Sequence, residues 1–300
     1  MNAPPRIRVQ ARNGAVVLQE GICISFYMHR SHQDIGPSVL RALDVYLEAV
    51  GREVLAWYPD MEGDWQEIDA EAWAVHRNAL RQGSAPRLHL TDRASGVADH
   101  EFNYRGQDLR ALPEEEAAQA VCAISCWLPT EFLERQGAAR VQELALELAT
   151  SLPFDTGHAG FAFHALSQLA GVSERLEQER TLYPGMDVPD EDASRYLGTR
   201  VPGIHWMNFL GPSVLKELGG AEALRARLTH PGTAVQPLGE DRAVVTLGDA
   251  PDAGDTSQGN VLPAYRELAR VLEPWLTSRE AARPYRENEA LRRWERRFLG

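Results

Sequence analysis

Residues 15–29 read AVVLQEGICISFYMH, an alternating run rich in β-branched and aromatic side chains, which is the pattern of a strand or a hairpin. Outward from it, Ser38 to Val50 places Val39, Leu40, Leu43, Tyr46, Leu47 and Val50 on one helical face, with Gly51 as the stop. EVLAWYP (53–59) follows as a short strand ended by Pro59, then a polar acidic stretch and a short helix near Glu71–Leu80. RLHLTD (87–92), HEFNYRG (100–106) and AVCAISCWLP (120–129) read as strands, and residues 137–151 as a helix. The second half opens with a strand at 158–166 and a helix through Ser173–Leu182. Residues 201–211 are a strand running into a helix started by Pro212, followed by a helix at 221–228, a hairpin over 234–248 and a long helix at 261–277. Hairpins combined with helices predict the α+β class, an antiparallel or mixed sheet with helices packed on it. Residues 1–13 read as a flexible leader and 14–300 as a single domain. Its halves, 14–152 and 153–300, repeat an order of elements without repeating sequence, a weak hint of duplication.

The chain has 300 residues, 31 basic against 43 acidic, and a net charge of −12. Such a surface repels phosphate backbones, so direct nucleic-acid binding is not expected, and a basic partner is. The exception is Arg279–Arg297, read as a basic tail helix with Leu291, Trp294 and Phe298 on its packing face. No window approaches 18 apolar residues and no secretory leader is visible, so the expected home is the cytoplasm. Three cysteines, Cys23, Cys122 and Cys126, fit a reducing compartment.

Motifs of the common enzyme classes are missing: no G-x-S-x-G, no phosphate loop, no dinucleotide fingerprint, no H-E-x-x-H. The one lysine, Lys216, stands in a helix between Leu215 and Glu217. Cys122 and Cys126, with His100 and His158 elsewhere, lack the second close pair of a structural zinc site and read as buried core. His29 and His32 read as turn or capping contacts, and His205 as a partnered core or boundary histidine. Asp249, Asp252 and Asp255 read as turn residues rather than a calcium loop. Neither metal nor cofactor is expected.

The unusual segment is PDMEGDWQEIDAE (59–71), in which Asp60, Glu62, Asp64, Glu67, Asp69 and Glu71 surround Trp65 with no basic residue. Like charges at this density repel unless solvated or matched by a partner. An aromatic among acids is the composition of a hot spot for a basic surface, while a solvated loop with Trp65 tucked inward is the plainer reading. Asp187, Asp190, Glu191 and Asp192 form a further acidic stretch, and Glu114–Glu116 another.

Residues 183–228, YPGMDVPDEDASRYLGTRVPGIHWMNFLGPSVLKELGGAEALRARL, carry Tyr183-Pro184-Gly185-Met186-Asp187, then Gly203-Ile204-His205-Trp206-Met207-Asn208-Phe209-Leu210-Gly211, then Leu215 to Gly220. With Phe26-Tyr27-Met28-His29 upstream and LGDAPDAGD and LPAYRELARVLEPW downstream, this order resembles the type VI secretion immunity family, with His205 where that family often has Asn. The resemblance implies a non-catalytic protein that binds and neutralises a cognate antibacterial toxin. Several members pair with PD-(D/E)xK-type nucleases, whose basic cleft an acidic protein could fill. On that reading Pro184, Gly185, Gly203, Trp206, Phe209, Leu210, Gly211, Gly219 and Gly220 maintain the fold, and the 60–71 and 187–192 acids with Trp65 face the toxin. A secretion adaptor that carries the toxin without blocking it, or an enzyme using His29, His205 or an Asp cluster, are the alternatives.

Overall fold

The alternating run is one unbroken strand of 13 residues, Val16–Met28, and nearly every residue in it is buried. Both its flanks are occupied by long antiparallel partners, so neither edge nor face meets water for most of its length. The computed structural model describes residues 4–189, 195–277 and 293–300.

In chain order the elements are β1 (Arg8–Gln10), β2 (Val16–Met28), α1 (His32–Val50), β3 (Trp57–Pro59), β4 (Trp65–Glu67), α2 (Ala70–Gln82), β5 (Arg87–Thr91), β6 (Glu101–Arg105), α3 (Glu114–Ala117), β7 (Cys122–Leu128) and α4 (Thr130–Ser151). They continue with β8 (Thr156–Ala165), α5 (Val172–Leu182), β9 (Met207–Leu210), α6 (Pro212–Glu217), α7 (Gly220–Arg227), β10 (Thr233–Pro237), β11 (Ala243–Leu247) and α8 (Pro263–Leu272). All eleven strands join one sheet in the order β10-β11-β9-β8-β2-β7-β6-β5-β3-β4, with β1 paired to β2 off this path. Every ladder is antiparallel, which gives the expected α+β class in its antiparallel form. Strands from before residue 152 lie on one side of the β2–β8 seam and strands from after it on the other.

Ile22, Ile24, Phe26 and Met28 point into the main core, where α1 and α4 pack, and the Tyr46 hydroxyl of α1 donates to the Trp127 carbonyl of β7 at 2.6 Å. α1 starts at His32 rather than after Pro37. The ring of His32 bonds the Tyr104 hydroxyl (2.7 Å) and the Leu80 carbonyl (3.1 Å), and this anchoring outweighs the backbone bond that Pro37 removes. α4 likewise starts early, at Thr130, and kinks at Gly137, where φ is 80°. No helix among the described residues is long and apolar enough to cross a membrane. In the C-terminal stretch, Trp294 and Phe298 are buried, while Leu291 lies outside the described residues.

The leader is not loose throughout. Arg8–Gln10 adds a strand to β2, and Ile7 is buried. The cause is Glu20, a carboxylate sealed inside the central strand. It accepts the Ile7 N–H at 2.8 Å and lies 3.4 Å from Arg8 Nε and 3.6 Å from Arg6 Nη1. A buried charge without a partner is strongly destabilising, so the strand that carries Glu20 recruits the arginines of the leader. Replacing both Arg6 and Arg8 by Met should therefore cost about 3 kcal/mol, read as a lower urea midpoint, and adding Glu20→Gln should recover part of it. An unchanged midpoint in the double variant would show that water, not the leader, satisfies Glu20.

Candidate functional site

In an antiparallel ladder directly opposed residues share a face, so the register maps the side of the sheet turned away from α1 and α4. Trp57 opposes Glu67 and Thr91, Pro59 opposes Trp65, Thr91 opposes Glu101, and Glu101 opposes Trp127. The series Trp65, Glu67, Trp57, His89, Glu101, Asn103 and Ser125 thus lies on one face, much of it half-exposed. The acidic segment forms the rim of this face as the β3–β4 hairpin and the start of α2.

Two of its six carboxylates are engaged locally. Asp60 accepts the N–H groups of Glu62 and Asp64 (both 3.0 Å) and the Gln66 amide (2.9 Å); those bonds, the Gln66 one foremost, hold its carboxyl below the usual range. Asp69 caps α2 by accepting the Ala72 N–H at 2.8 Å. Glu62, Asp64, Glu67 and Glu71 are exposed, and no basic side chain pairs with them among the described residues. Met61, fully exposed, stands at the hairpin tip. Trp65 is half-buried, its ring edge-on to His89 at 5.4 Å. It is neither tucked into the core nor free.

From Trp65 a chain of polar contacts crosses the sheet. His89 Nε2 and His164 Nε2 lie 3.4 and 3.3 Å from Glu101 Oε2, and His164 stacks on Trp127 at 4.1 Å with planes 9° apart. His164 Nδ1 is set by the Ala98 carbonyl at 3.0 Å. Burial opposes ionisation of Glu101, yet the two histidines outweigh it and hold the carboxyl far below the ordinary range.

A second trio sits on the same side of the sheet beyond the seam. His158 of β8 and His205 each approach Asp187 Oδ2, at 3.5 and 3.3 Å, and their rings stack at 3.8 Å; all three residues are buried. Asp187 is held alongside β8 by a parallel bridge to Ala162, its N–H donating to the Phe161 carbonyl (2.8 Å) and its carbonyl accepting from the Phe163 N–H (2.9 Å). Asn208 clamps the backbone of His205, accepting its N–H at 2.9 Å and donating to its carbonyl at 2.7 Å. Trp206, Phe209 and Leu210 are all buried: the Trp206 indole donates to the Gly248 carbonyl at 3.1 Å, and the Phe209 ring packs on Phe26 and Phe154 in the main core. Gly185, after Pro184, has no room for a side chain: a Cβ there would stand 2.1 Å from the Asp252 carbonyl oxygen. Gly219 and Gly220 turn the chain between α6 and α7 with φ of 88° and 89°, a region that disfavours other residues. Gly211 caps α6, and Gly203 lies against the His205 ring.

The remaining candidates are scattered. His29 Nε2 contacts the Ala117 carbonyl at 2.8 Å and shares no partner with His32 or His205. Cys122 and Cys126 are buried in the main core, and all three cysteines are free. Asp255 caps a 3-10 turn at Thr256–Gln258, and Asp252 accepts the Gly254 N–H at 2.9 Å; both line a cleft of about 340 Å³ with Tyr183, Gln258 and Asn260. Glu114–Glu116 form exposed α3. Asp190, Glu191 and Asp192 lie outside the described residues. The histidine trios span strands far apart in the chain, so spacing gave no signal for either.

Because the carboxyl of Glu101 is depressed, its contribution to stability is complete above the ordinary glutamate value of about 4.3 and is lost as pH falls below it. Glu101→Gln should lower stability by about 2 kcal/mol at neutral pH, with the gap to the wild type closing in acid, as followed by urea unfolding across a pH series. A gap independent of pH would show that charge plays no part.

The fold is similar to that of a solved structure, a Pseudomonas aeruginosa type VI secretion protein, PA0821. The TM-score is 0.75 over 98% of this chain and 87% of that one, at 17% identity. Comparison with curated proteins gives no match. A family model described as type VI immunity for VRR-NUC matches residues 38–298, which takes in strands β3 to β11, the acidic hairpin and the buried motif around Trp206. By that match, the chain belongs to the TsiV family of type VI immunity proteins.

Proposed function

We propose that this protein binds a cognate VRR-NUC toxin in the cytoplasm and neutralises it without catalysis, using the acidic rim of the open sheet face. Family membership supplies the partner class. The observation that carries the surface assignment is the group Glu62, Asp64, Glu67 and Glu71, exposed and unmatched beside half-buried Trp65. A nuclease must present positive charge to phosphates, and carboxylates strung along a hairpin can take the phosphates' place. The net charge of −12 steers the two proteins together, an effect that salt weakens. Trp65 supplies apolar area at the centre of the charged patch and, through His89, is braced by the Glu101 network. The three buried free cysteines suit the reducing cytoplasm.

The test is co-expression with the toxin, scored by survival and by co-purification. Wild type should rescue and form a stable complex. A variant with Glu62→Gln, Asp64→Asn, Glu67→Gln and Glu71→Gln should fold normally and bind about 10-fold or more weakly at low salt, mainly through slower association. Trp65→Ala should weaken binding by about 10-fold or more through faster dissociation. Undiminished affinity in both would overturn the acidic-rim assignment and leave immunity standing. A stable complex with fully active toxin would instead mark an adaptor.

A further inference from the structure

We propose that His158, Asp187 and His205 form a binding site for one divalent transition-metal ion of the zinc type. One ligand atom from each residue lies within 4.8 Å of the other two, and all three residues are buried. Two imidazoles and one carboxylate are a zinc donor set. Zinc bonds of about 2.0–2.1 Å in a tetrahedron give ligand-to-ligand edges of about 3.3 Å. The two carboxylate-to-imidazole edges are 3.3 and 3.5 Å.

His205 points to a ligand independently. It is 2% exposed; its Nδ1 has no hydrogen-bond partner among the described residues, and its Nε2 meets Asp187 Oδ2 at 3.3 Å outside hydrogen-bond geometry. Buried polar atoms left this way cost free energy, and an ion would repay Nε2. The ring is held in place through its backbone, by the Asn208 clamp, not through its nitrogens. A cavity of about 20 Å³, lined by Asp187, Gly203 and Ile204 but by neither histidine, has room for about one water, which would reach the ion from the Asp187 side as its fourth ligand. The two rings stack with planes 13° apart, so converging both Nε2 atoms on one ion takes a rotation of one imidazole about its Cβ–Cγ bond.

The ion would act as a clasp. Asp187 belongs to the segment bridged in parallel to β8 at Ala162, His158 to β8 itself, and His205 to the approach to β9. One bound ion would tie the motif-bearing segment to the centre of the sheet.

The experiment uses the full chain stripped with EDTA, then titrated with zinc by calorimetry and with cobalt(II) by visible absorption. The expected result is one ion per chain, a tetrahedral cobalt spectrum, and a Tm raised by about 5 °C at zinc a hundredfold above its Kd, reversed by EDTA. Loss of groups that merely support a metal ligand costs 10–100-fold in affinity, so His205→Asn and, separately, His158→Asn should each lose about 100-fold or more. Circular dichroism would identify the variant that folds as wild type and can be read. A control chain with Asp60→Asn, Glu62→Gln and Asp64→Asn removes the exposed acidic group and should bind zinc as wild type does. No ion bound by the stripped wild type, zinc affinity kept in the histidine variants, or zinc affinity lost in the control would each overturn the site.

Discussion

The β2–β8 pairing is the constraint on which the rest of the molecule rests. Ten residue pairs run in register from Leu18–Ala165 to Tyr27–Thr156, joining the two longest strands at the centre of the sheet. Each strand is flanked again, β2 by β7 and β8 by β9, so both are buried along their edges as well as their faces. A one-residue slip would carry Ile22, Ile24 and Phe26 to the opposite face, so the core itself locks this register. Every other strand takes its place by pairing outward from this seam.

Burial at the seam admits few charges and requires that each be matched. Three buried carboxylates follow one plan. Glu20 faces Arg6 and Arg8, Glu101 faces His89 and His164, and Asp187 faces His158 and His205. Each ties separate segments of the sheet together: the N-terminal strand with β2, β6 with β5 and β8, and the 183–188 segment with β8. Such groups add little net stability over an apolar pair. Their effect is on position, since a strand shifted from its place would strand a charge in the interior.

The sequence showed the strands of the seam, though not their pairing, because β2 and β8 carry β-branched, aromatic and small residues. The helical face of α1 was equally plain, and a short helix was expected where α2 lies. Arg8-Val9-Gln10 was not, because three mostly polar residues give no periodicity and their pairing depends on a carboxylate ten residues away in the chain. The early starts of α1 and α4 escaped for a related reason: Pro37 and Gly137 read as breaks until tertiary contacts hold the helix through them. The acidic segment stood out by composition, yet its division into the structural Asp60 and Asp69 and the unmatched remainder needed the hairpin geometry. Both histidine–carboxylate trios were invisible, since their members come from separate strands with no spacing to read.

The two sides of the seam divide the labour. Toward β9, the 183–188 segment with Pro184, Gly185 and Asp187 is bridged beside β8, next to the segment of His205 and Trp206, and a Cβ at Gly185 would already collide with backbone. Toward β4, the outer face stays half-open and ends in a hairpin whose unmatched carboxylates contact neither the seam nor the core. Substitutions on the closed side act on folding, because they disturb packing at native density. On the proposed function, those on the open rim would act on encounter and fit, because solvent already surrounds them. An immunity protein must keep its fold while its reading surface is tuned to one toxin. If the hairpin is that surface, as proposed, a sheet closed on one side of its seam and open on the other meets both demands, since changes in the hairpin do not reach the register that holds the molecule together.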